Sequence, residues 1–217
     1  MRKSAANSFE HVKQYTKEEL DTILGLRTGT AILDLRNSSF QGLDLQGMNF
    51  SYCNLSGCDF RDCNISGCDF RFSDLTGCRI EGANLYLARL QESVLTGIRS
   101  DSATRYFAMC CPEQGAFLGY KLCFNYRLVQ LLIPADAKRS SATDNACRCS
   151  KAKVLKITSG DGRQQFQEAQ AFADQNFLYK VGQIAYPSGF DENRWVDSTT
   201  GIHFFMTARE ALAYMKG

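Results

Sequence analysis

The sequence is poor in the residues and signatures that mark catalytic sites. Its 217 residues contain two histidines, three prolines and one tryptophan. No Ser-His-Asp, Cys-His or phosphate-loop signature accompanies either histidine, so no residue is assigned a catalytic role. The pattern therefore favours a protein that is not an enzyme and that holds no cofactor.

Signals for membranes and secretion are also missing. No apolar run approaches the roughly 20 residues that span a bilayer. The start, MRKSAANSFEHVKQ, has no apolar core after its basic residues, unlike a signal peptide. A formal net charge of +2 implies no obligatory polyanionic or polycationic partner. We therefore expect a soluble protein in the reducing cytoplasm, with no membrane partner.

What the chain has instead is a period of five residues, which begins at residue 33 and ends at residue 97. Every fifth position from Leu35 to Leu95 holds Leu, Phe or Ile, thirteen times in succession. Glycine often follows two residues later. A second column, two residues before the first, is mostly small and includes five cysteines: Cys53, Cys58, Cys63, Cys68 and Cys78. Neither a helix nor a flat strand has this period.

A chain that turns a corner every five residues explains the pattern. Four corners close a square coil of about twenty residues, and successive coils stack by strand-like hydrogen bonding about 4.8 Å apart. The large residues then fill the centre, and Asp, Asn and Gly suit the corners. In the small column, cysteine acts as a compact apolar filler, so we expect the five cysteines to be buried and reduced.

This pattern resembles that of the pentapeptide-repeat family, which implies a right-handed quadrilateral β-helix over residues 33–99. The fold class is then mainly β: this β-helix, an N-terminal cap with a short helix over 1–32, and an α+β domain over 100–217. In the cap, Thr16 and Glu19 have the spacing of a capping box. The helix that follows is expected to cover the first coil, or alternatively to bind a partner.

After residue 97 the period ends, and strands and a helix are expected. Turn residues and β-forming residues predict five strands, at 116–121, 128–133, 152–158, 177–185 and 202–205. Thr207 and Glu210 form a second capping box, which opens a terminal helix.

Four segments of this half are similar to a domain that often follows pentapeptide repeats in phage and bacterial proteins. They read CPEQGAFLGYK, LLIPADAKRSSA, CRCSKAKVLKI and GIHFF. This resemblance implies no activity and transfers no catalytic residue. Asp197, Ser198 and Thr199 stand where relatives tend to carry a cysteine.

Large apolar side chains interrupt the corners where glycine is usual. Tyr52 and Phe72 are twenty residues apart, so we expect them to lie one above the other, next to Arg71. Tyr86 and Leu87 intrude near the last coil. These five residues are candidates for binding a protein partner of unknown identity or a second copy of the chain. Alternatively, another segment of the same chain covers them.

The segment 138–156 is rich in cations. With His203 from the short apolar strand, it is a candidate phosphate- or nucleotide-binding site whose members are Lys138, Arg139, Arg148, Lys151, Lys153 and His203. The alternatives are a solvated basic loop and a structural histidine.

Several cysteines of this half could supply zinc ligands. The pair Cys147 and Cys149 could act with Cys110, Cys111 and Cys123. The paired C-x₂-C knuckles typical of zinc sites are missing, so no metal site is assigned.

The sequence favours a non-enzymatic protein-binding module. The phage resemblance extends this to an inhibitor of a host or defence protein. The alternative is a nucleotide-binding or nucleotide-modifying domain that uses the basic segment and His203. The family also includes topoisomerase-protecting DNA mimics, but a rod about 15 Å tall would need roughly nine negative charges to imitate duplex DNA. Residues 33–99 contain eight acids and six arginines, so we expect no such mimicry and no nucleic-acid partner.

Overall fold

The computed structural model describes residues 12–172, 174 and 176–214. The predicted absence of a signal peptide concerns the first fourteen residues, of which residues 1–11 lie outside this part. The chain divides into two compact units, Met1–Arg105 and Tyr106–Gly217. Among the described residues, no helix is both long enough and apolar enough to cross a membrane.

The first unit is a coil with four sides. Parallel bridges join residues twenty positions apart, as between Ser39 and Asp59 and between Asp59 and Arg79. The strands β1 (Leu33–Asp34) and β2 (Cys53–Asn54) pair in the same way. This ladder confirms the predicted quadrilateral β-helix, because each coil uses twenty residues and hydrogen bonds to the coil above it.

The large residues of the period fill the centre of the coil. Phe40, Phe50, Phe60 and Phe70 are at most 1% exposed. The Phe60 ring centroid lies 4.8 Å from that of Phe40 and 5.8 Å from that of Phe70, so the rings form one continuous aromatic cluster. Leu95 is only partly buried, since it lies in the last coil.

The five cysteines of the small column are buried, as predicted, and they are free thiols. Four of them also donate a hydrogen bond to a main-chain carbonyl oxygen in the preceding coil; Cys58 Sγ lies 3.0 Å from Leu35 O, and Cys68 Sγ lies 3.0 Å from Leu45 O. Burial raises the pKa of Cys58 and Cys68 to about 12. These thiols therefore stay protonated donors inside the coil.

The residues before the coil pack on its first turn. Helix α1 (Lys17–Gly25) begins at the predicted capping box, and its Leu20 is fully buried. Tyr15 N–H donates to Ser39 O, and the Tyr15 ring stacks on Phe40 at 5.8 Å. This segment thus lies against the first coil, in agreement with the predicted cap.

The coil continues to Arg105, beyond the residues that keep the sequence period. Asn84 bridges Arg105, which is twenty-one positions away, so the last coil contains one extra residue. Asp101 Oδ1 accepts hydrogen bonds from the main-chain N–H groups of Gly82, Ala103 and Thr104. The carboxylate therefore stabilises the irregular turn that the extra residue creates.

The second unit is rich in strands. They are β3 (Phe117–Cys123), β4 (Arg127–Ile133), β5 (Arg139–Ser141), β6 (Cys147–Cys149), β7 (Ala152–Ser159), β8 (Gln165–Phe166), β9 (Glu168–Gln170), β10 (Leu178–Lys180), β11 (Ile184–Ala185) and β12 (Ile202–Phe204). A short 3-10 turn, Phe124–Tyr126, joins β3 to β4, and helix α2 (Ala208–Ala213) follows β12.

These strands form two main antiparallel sheets. One has the order β11-β7-β4-β3, with β8 also pairing with β7, and the other has the order β12-β6-β5. A bridge between Tyr120 and Phe205 connects them. There, Gly119 lies so close to the Phe204 ring that an added Cβ would come within 2.6 Å of it. Glycine at this position therefore lets the two sheets share one core.

Most of the predicted strands of this unit are present, with two differences. The prediction of one strand over 177–185 is wrong, because a turn at Gly182 separates β10 from β11. Strands β5, β6, β8 and β9 were not predicted. Of these, β5 and β6 lie inside the cation-rich segment that was interpreted as a phosphate-binding or solvated loop.

Candidate protein-binding face

Tyr52 and Phe72 occupy corner positions with left-handed backbone. Their φ angles are 56° and 60°, in the region that glycine adopts at most other corners of the coil. A bulky residue pays a steric penalty in this region, since its Cβ crowds the carbonyl group. Phe72 N–H nevertheless donates to Gln91 O and Tyr52 N–H to Arg71 O, so both residues keep the coil hydrogen bonding.

The two rings form a stacked pair, as their spacing predicts. Their centroids are 4.9 Å apart and their planes differ by 15°. Phe72 is 49% exposed and Tyr52 is half-buried. The described residues of the first unit therefore leave about half of the Phe72 side chain uncovered.

Arg71 lies directly before Phe72 and is held by Asp69. Arg71 Nε lies 2.9 Å from Asp69 Oδ1, and Nη2 lies 2.6 Å from Oδ2. Burial raises the pKa of Asp69, but the hydrogen bonds from Arg71 outweigh it, and the net pKa is below the usual value. The two charges neutralise each other in a fixed, two-pronged geometry.

Tyr86 and Leu87 lie at the other corner of the same side of the coil. Leu87 is 50% exposed and has a φ of 58°. Gly67 N–H donates to Tyr86 O, so this corner lies one coil above the corner that precedes Arg71 and Phe72. We call this side, with its corners at Tyr52, Phe72 and Leu87 and the Asp69–Arg71 pair between them, the aromatic face.

Asp69 was missed as a member of this face, although the sequence carries the signal. An aspartate two residues before an arginine recurs in the coil, and each such pair is an ion pair. The pairs are Asp34–Arg36, Asp59–Arg61 and Asp69–Arg71. The two residues that flank a large inward-facing residue lie on the same outer side of the coil. An aspartate and an arginine at these two positions are therefore expected to pair.

The predicted phosphate site does not keep free arginine donors. All five N–H groups of Arg139 point to main-chain carbonyl oxygens, including Gly115 O at 2.7 Å and Pro134 O at 2.7 Å. Arg148 is 3% exposed, and its two terminal nitrogens donate to four more carbonyl oxygens between Asp191 and Thr200. Neither guanidinium can bind a phosphate through these protons.

The lysines of that segment lie apart or carry acidic partners. Lys138 pairs with Glu192, and Lys151 Nζ lies 2.7 Å from Asp136 Oδ2. Lys153 is exposed on β7. A pocket of about 320 Å³ is lined by Lys138 and Arg139, but Glu113 and Glu192 line it as well. Its charge is therefore mixed, which does not favour a phosphate.

His203 does lie beside Arg148, as the predicted site requires. The two are paired across β12 and β6. His203 Nε2 lies 2.8 Å from Thr199 O, and burial lowers the pKa of the imidazole. A neutral His203 that donates to this carbonyl group shares with Arg148 the task of holding residues 191–200. The pair is thus a structural element of the second unit.

No three His, Cys, Asp or Glu side chains are grouped so as to hold a metal ion in the part of the chain that the structure describes.

The stacked coils define the first unit as a pentapeptide-repeat β-helix. Residues 31–90 match the family described as pentapeptide repeat region, and residues 107–211 match a family of unknown function, DUF5758. The chain therefore has a pentapeptide repeat region, which is followed by a domain that matches that second family. No curated protein matches it in sequence.

Three solved structures of pentapeptide repeat proteins are similar to this chain. Rfr23 from the cyanobacterium Cyanothece 51142 is 22% identical with a TM-score of 0.24, over 36% of this chain and 65% of that one. HetL, involved in heterocyst differentiation regulation in Nostoc sp. strain PCC 7120, is 21% identical with a TM-score of 0.23, over 33% and 35%. The protein alr5209 from Nostoc PCC 7120 is 22% identical with a TM-score of 0.19, over 44% and 90%. The chain thus spans less than two thirds of the length of the first two.

Proposed function

We propose that this protein binds another protein through the aromatic face and performs no catalysis. The observation that carries the proposal is the stacked pair of Tyr52 and Phe72 at left-handed corners, with Phe72 half exposed. A residue other than glycine in this backbone region costs about 1–2 kcal/mol. Strained residues of this kind cluster at functional sites.

The coil itself does not need these rings. Stacking of two aromatic rings contributes about 0.5–1.5 kcal/mol beyond burial, which is of the order of the strain in one of the two corners. Glycine at the neighbouring corner supports the equivalent hydrogen bonding between coils, as Gly47 and Gly67 do. The exposed ring therefore adds an apolar surface that folding does not require, and such a surface suits a partner.

The charges of the face indicate the chemistry of the partner. Arg71 is already paired with Asp69, so the centre of the face is close to neutral. A polyanion such as a nucleic acid gains little there, whereas an apolar cleft with a polar rim on another protein fits the ring pair. Aromatic and arginine side chains are also the residue types that dominate protein interface energies.

The finer form of this proposal is inhibition of a host or defence protein by a phage-type protein. Its support is the resemblance of the second unit to a domain that follows pentapeptide repeats in phage and bacterial proteins. The aromatic face would then be the surface that contacts the target.

The test compares loss of the two rings with a glycine substitution at another left-handed corner. In the double variant Tyr52→Gly, Phe72→Gly both rings are removed, whereas Asp62→Gly changes another left-handed corner, with a φ of 59°. Each tagged protein is used to capture proteins from an extract of its natural host. We expect wild type and Asp62→Gly to retain a common partner and the double variant to bind it at least about tenfold more weakly, as for loss of a hot spot.

Unchanged capture by the double variant, with circular dichroism showing an intact coil, would contradict the proposal. Analytical ultracentrifugation of the purified proteins tests whether the partner is a second copy of the chain. A dimer that the double variant loses would show that the partner is a second copy of the chain.

A further inference from the structure

The second unit contains a group of three thiols that the proposed function does not use. Cys110 and Cys111 precede β3, and Cys147 is the first residue of β6. Cys110 is the one exposed cysteine in the described part of the chain, whereas Cys111 and Cys147 are at most 3% exposed. An exposed thiol next to a buried one is the arrangement of an attacking and a resolving cysteine.

Two of these sulfur atoms meet at one main-chain oxygen. Cys110 Sγ and Cys147 Sγ each lie 3.9 Å from Asn145 O. Cys110 N–H donates to Ser141 Oγ at 2.8 Å, and Ser141 is the strand partner of Cys147 across β5 and β6. The main chain at Cys110 is thus fixed beside the end of this hairpin, where Cys147 begins β6.

The segment that carries Cys110, residues 107–115, is held on the second unit by arginines. We call it the strap. Arg194 Nη2 donates to Phe107 O at 2.9 Å, and Arg139 Nη1 donates to Gly115 O at 2.7 Å. Both ends of the strap are therefore anchored by side chains. Its middle, at Cys110, is attached through the hydrogen bond to Ser141, the strand partner of Cys147.

The thiols influence one another electrostatically. A hydrogen bond from the Cys147 thiol lowers the pKa of Cys110, and the same contact raises the pKa of Cys147. The same thiol also lowers the pKa of Cys111, but Cys111 is buried, so Cys110 is the thiolate that an oxidant in solution can reach. The cysteines inside the coil have raised pKa values and no exposure, so they do not compete.

We propose that Cys110 and Cys147 form a reversible disulfide when the protein meets a peroxide. The Cys110 thiolate attacks a peroxide oxygen, so that an S–O bond forms, the O–O bond breaks and hydroxide leaves. Cys147 sulfur then attacks the Cys110 sulfenic acid. The S–S bond forms, the S–O bond breaks, and the hydroxide that leaves takes the Cys147 proton as water. Two thiols are oxidised and one hydrogen peroxide is reduced to two waters.

The disulfide would tie the strap to β6, the central strand of the three-stranded sheet. It would therefore turn a contact held by hydrogen bonds into a covalent one, and a dithiol would reverse it. In a reducing cytoplasm such bonds are transient and regulatory.

The experiment treats the full-length protein with hydrogen peroxide at neutral pH, blocks the remaining thiols and maps the peptides by mass spectrometry. We expect a linked peptide pair that joins Cys110 to Cys147 and that disappears after dithiothreitol. Cys110→Ser should abolish this pair, and the variant should fold because Cys110 is exposed. Cys111→Ala is the matched control and should still form the Cys110–Cys147 link.

A second measurement tests the role of Cys147 without relying on the link. Labelling of native protein with iodoacetamide should modify Cys110 first, and Cys147→Ala should slow that labelling at pH 7. A Cys110–Cys111 link, a disulfide between two copies of the chain, or oxidation of Cys110 to a sulfinic acid with no link would overturn the proposal. Unchanged labelling of Cys110 in Cys147→Ala would overturn the part assigned to Cys147.

Discussion

The left-handed backbone at Phe72 predicts an inverted order of two substitutions. Glycine in a regular element is less stable than alanine by about 0.5–1 kcal/mol, because it loses more conformational freedom on folding. At position 72, with a φ of 60°, alanine keeps the steric penalty that glycine escapes. We therefore expect Phe72→Gly to be more stable than Phe72→Ala by about 1 kcal/mol.

Arg71 provides the matched control, since it lies one residue earlier and is not among the residues with positive φ. Both Arg71→Gly and Arg71→Ala remove the ion pair to Asp69, so that loss cancels between them. There we expect the usual order, with alanine more stable by about 0.5–1 kcal/mol. The difference between Phe72 and Arg71 is then about 1.5–2 kcal/mol in total.

The assay is urea unfolding followed by far-ultraviolet circular dichroism, with the slope of the transition compared between variants. Trp195, the one tryptophan of the sequence, lies in the second unit, so its fluorescence serves as an internal reference that these changes should not move. The same order of glycine and alanine at both positions would refute the assigned corner geometry. The corners of the aromatic face would then not be strained.

Four further outcomes follow from the structure. Phe60→Ala should cost about 3–5 kcal/mol of folding free energy, because the ring is fully buried. Arg61→Ala should cost at most about 1 kcal/mol, because its ion pair is partly exposed. Equal melting temperatures of the two variants would contradict this difference. Thiol titration without denaturant should leave Cys53, Cys58, Cys63, Cys68 and Cys78 unlabelled, and their rapid labelling would show that the column faces outward. Burial, together with Asp197, raises the pKa of Asp144 to about 6 in the folded protein. Between about pH 4 and pH 6 the folded state then holds a proton that the unfolded state has lost, so the free energy of unfolding should fall as pH rises through this range. Asp144→Asn should remove this pH dependence in urea titrations. Arg148→Lys should make residues 191–200 more susceptible to limited proteolysis, since one ammonium group cannot replace four hydrogen bonds to carbonyl oxygens. Resistance to the protease equal to that of wild type would contradict the role of Arg148 in holding this segment.

The coil could be predicted from sequence because its rule is local. Each side needs one large residue inward and one tolerant corner, and the position of a residue modulo twenty decides which residues stack. Tyr52 and Phe72 differ by twenty positions, so Phe72 lies one coil above Tyr52, and the rings are 4.9 Å apart. It failed at the end of the coil, where one extra residue before Arg105 breaks the period while the bridge to Asn84 persists.

The sheets of the second unit were predictable only where their strands are apolar. In β4 buried residues alternate with partly buried ones, and in β7 buried residues are interrupted by exposed ones; both strands were expected. Strands β5 and β6 read RSS and CRC, and such polar residues are typical of loops. They form strands because Ser140, Arg148 and His203 pair across three chain segments, which no local pattern records.

The cation-rich segment shows why charge in a sequence does not locate an anion site. A guanidinium group has five N–H donors, and in the second unit these donors serve loops whose carbonyl oxygens have no strand to pair with. Arg139, Arg148 and Arg194 each bind such oxygens, at the strap and at residues 191–200. A lysine ammonium group is less suited to binding several carbonyl oxygens at once, and Lys138 and Lys153 lie at the surface. The same number of cations would also fit a phosphate site. A phosphate site and a structural role differ only in which acceptor each arginine N–H group binds. The aromatic face differs from this segment, because Arg71 has its partner two residues away and the Phe72 ring beside it remains 49% exposed.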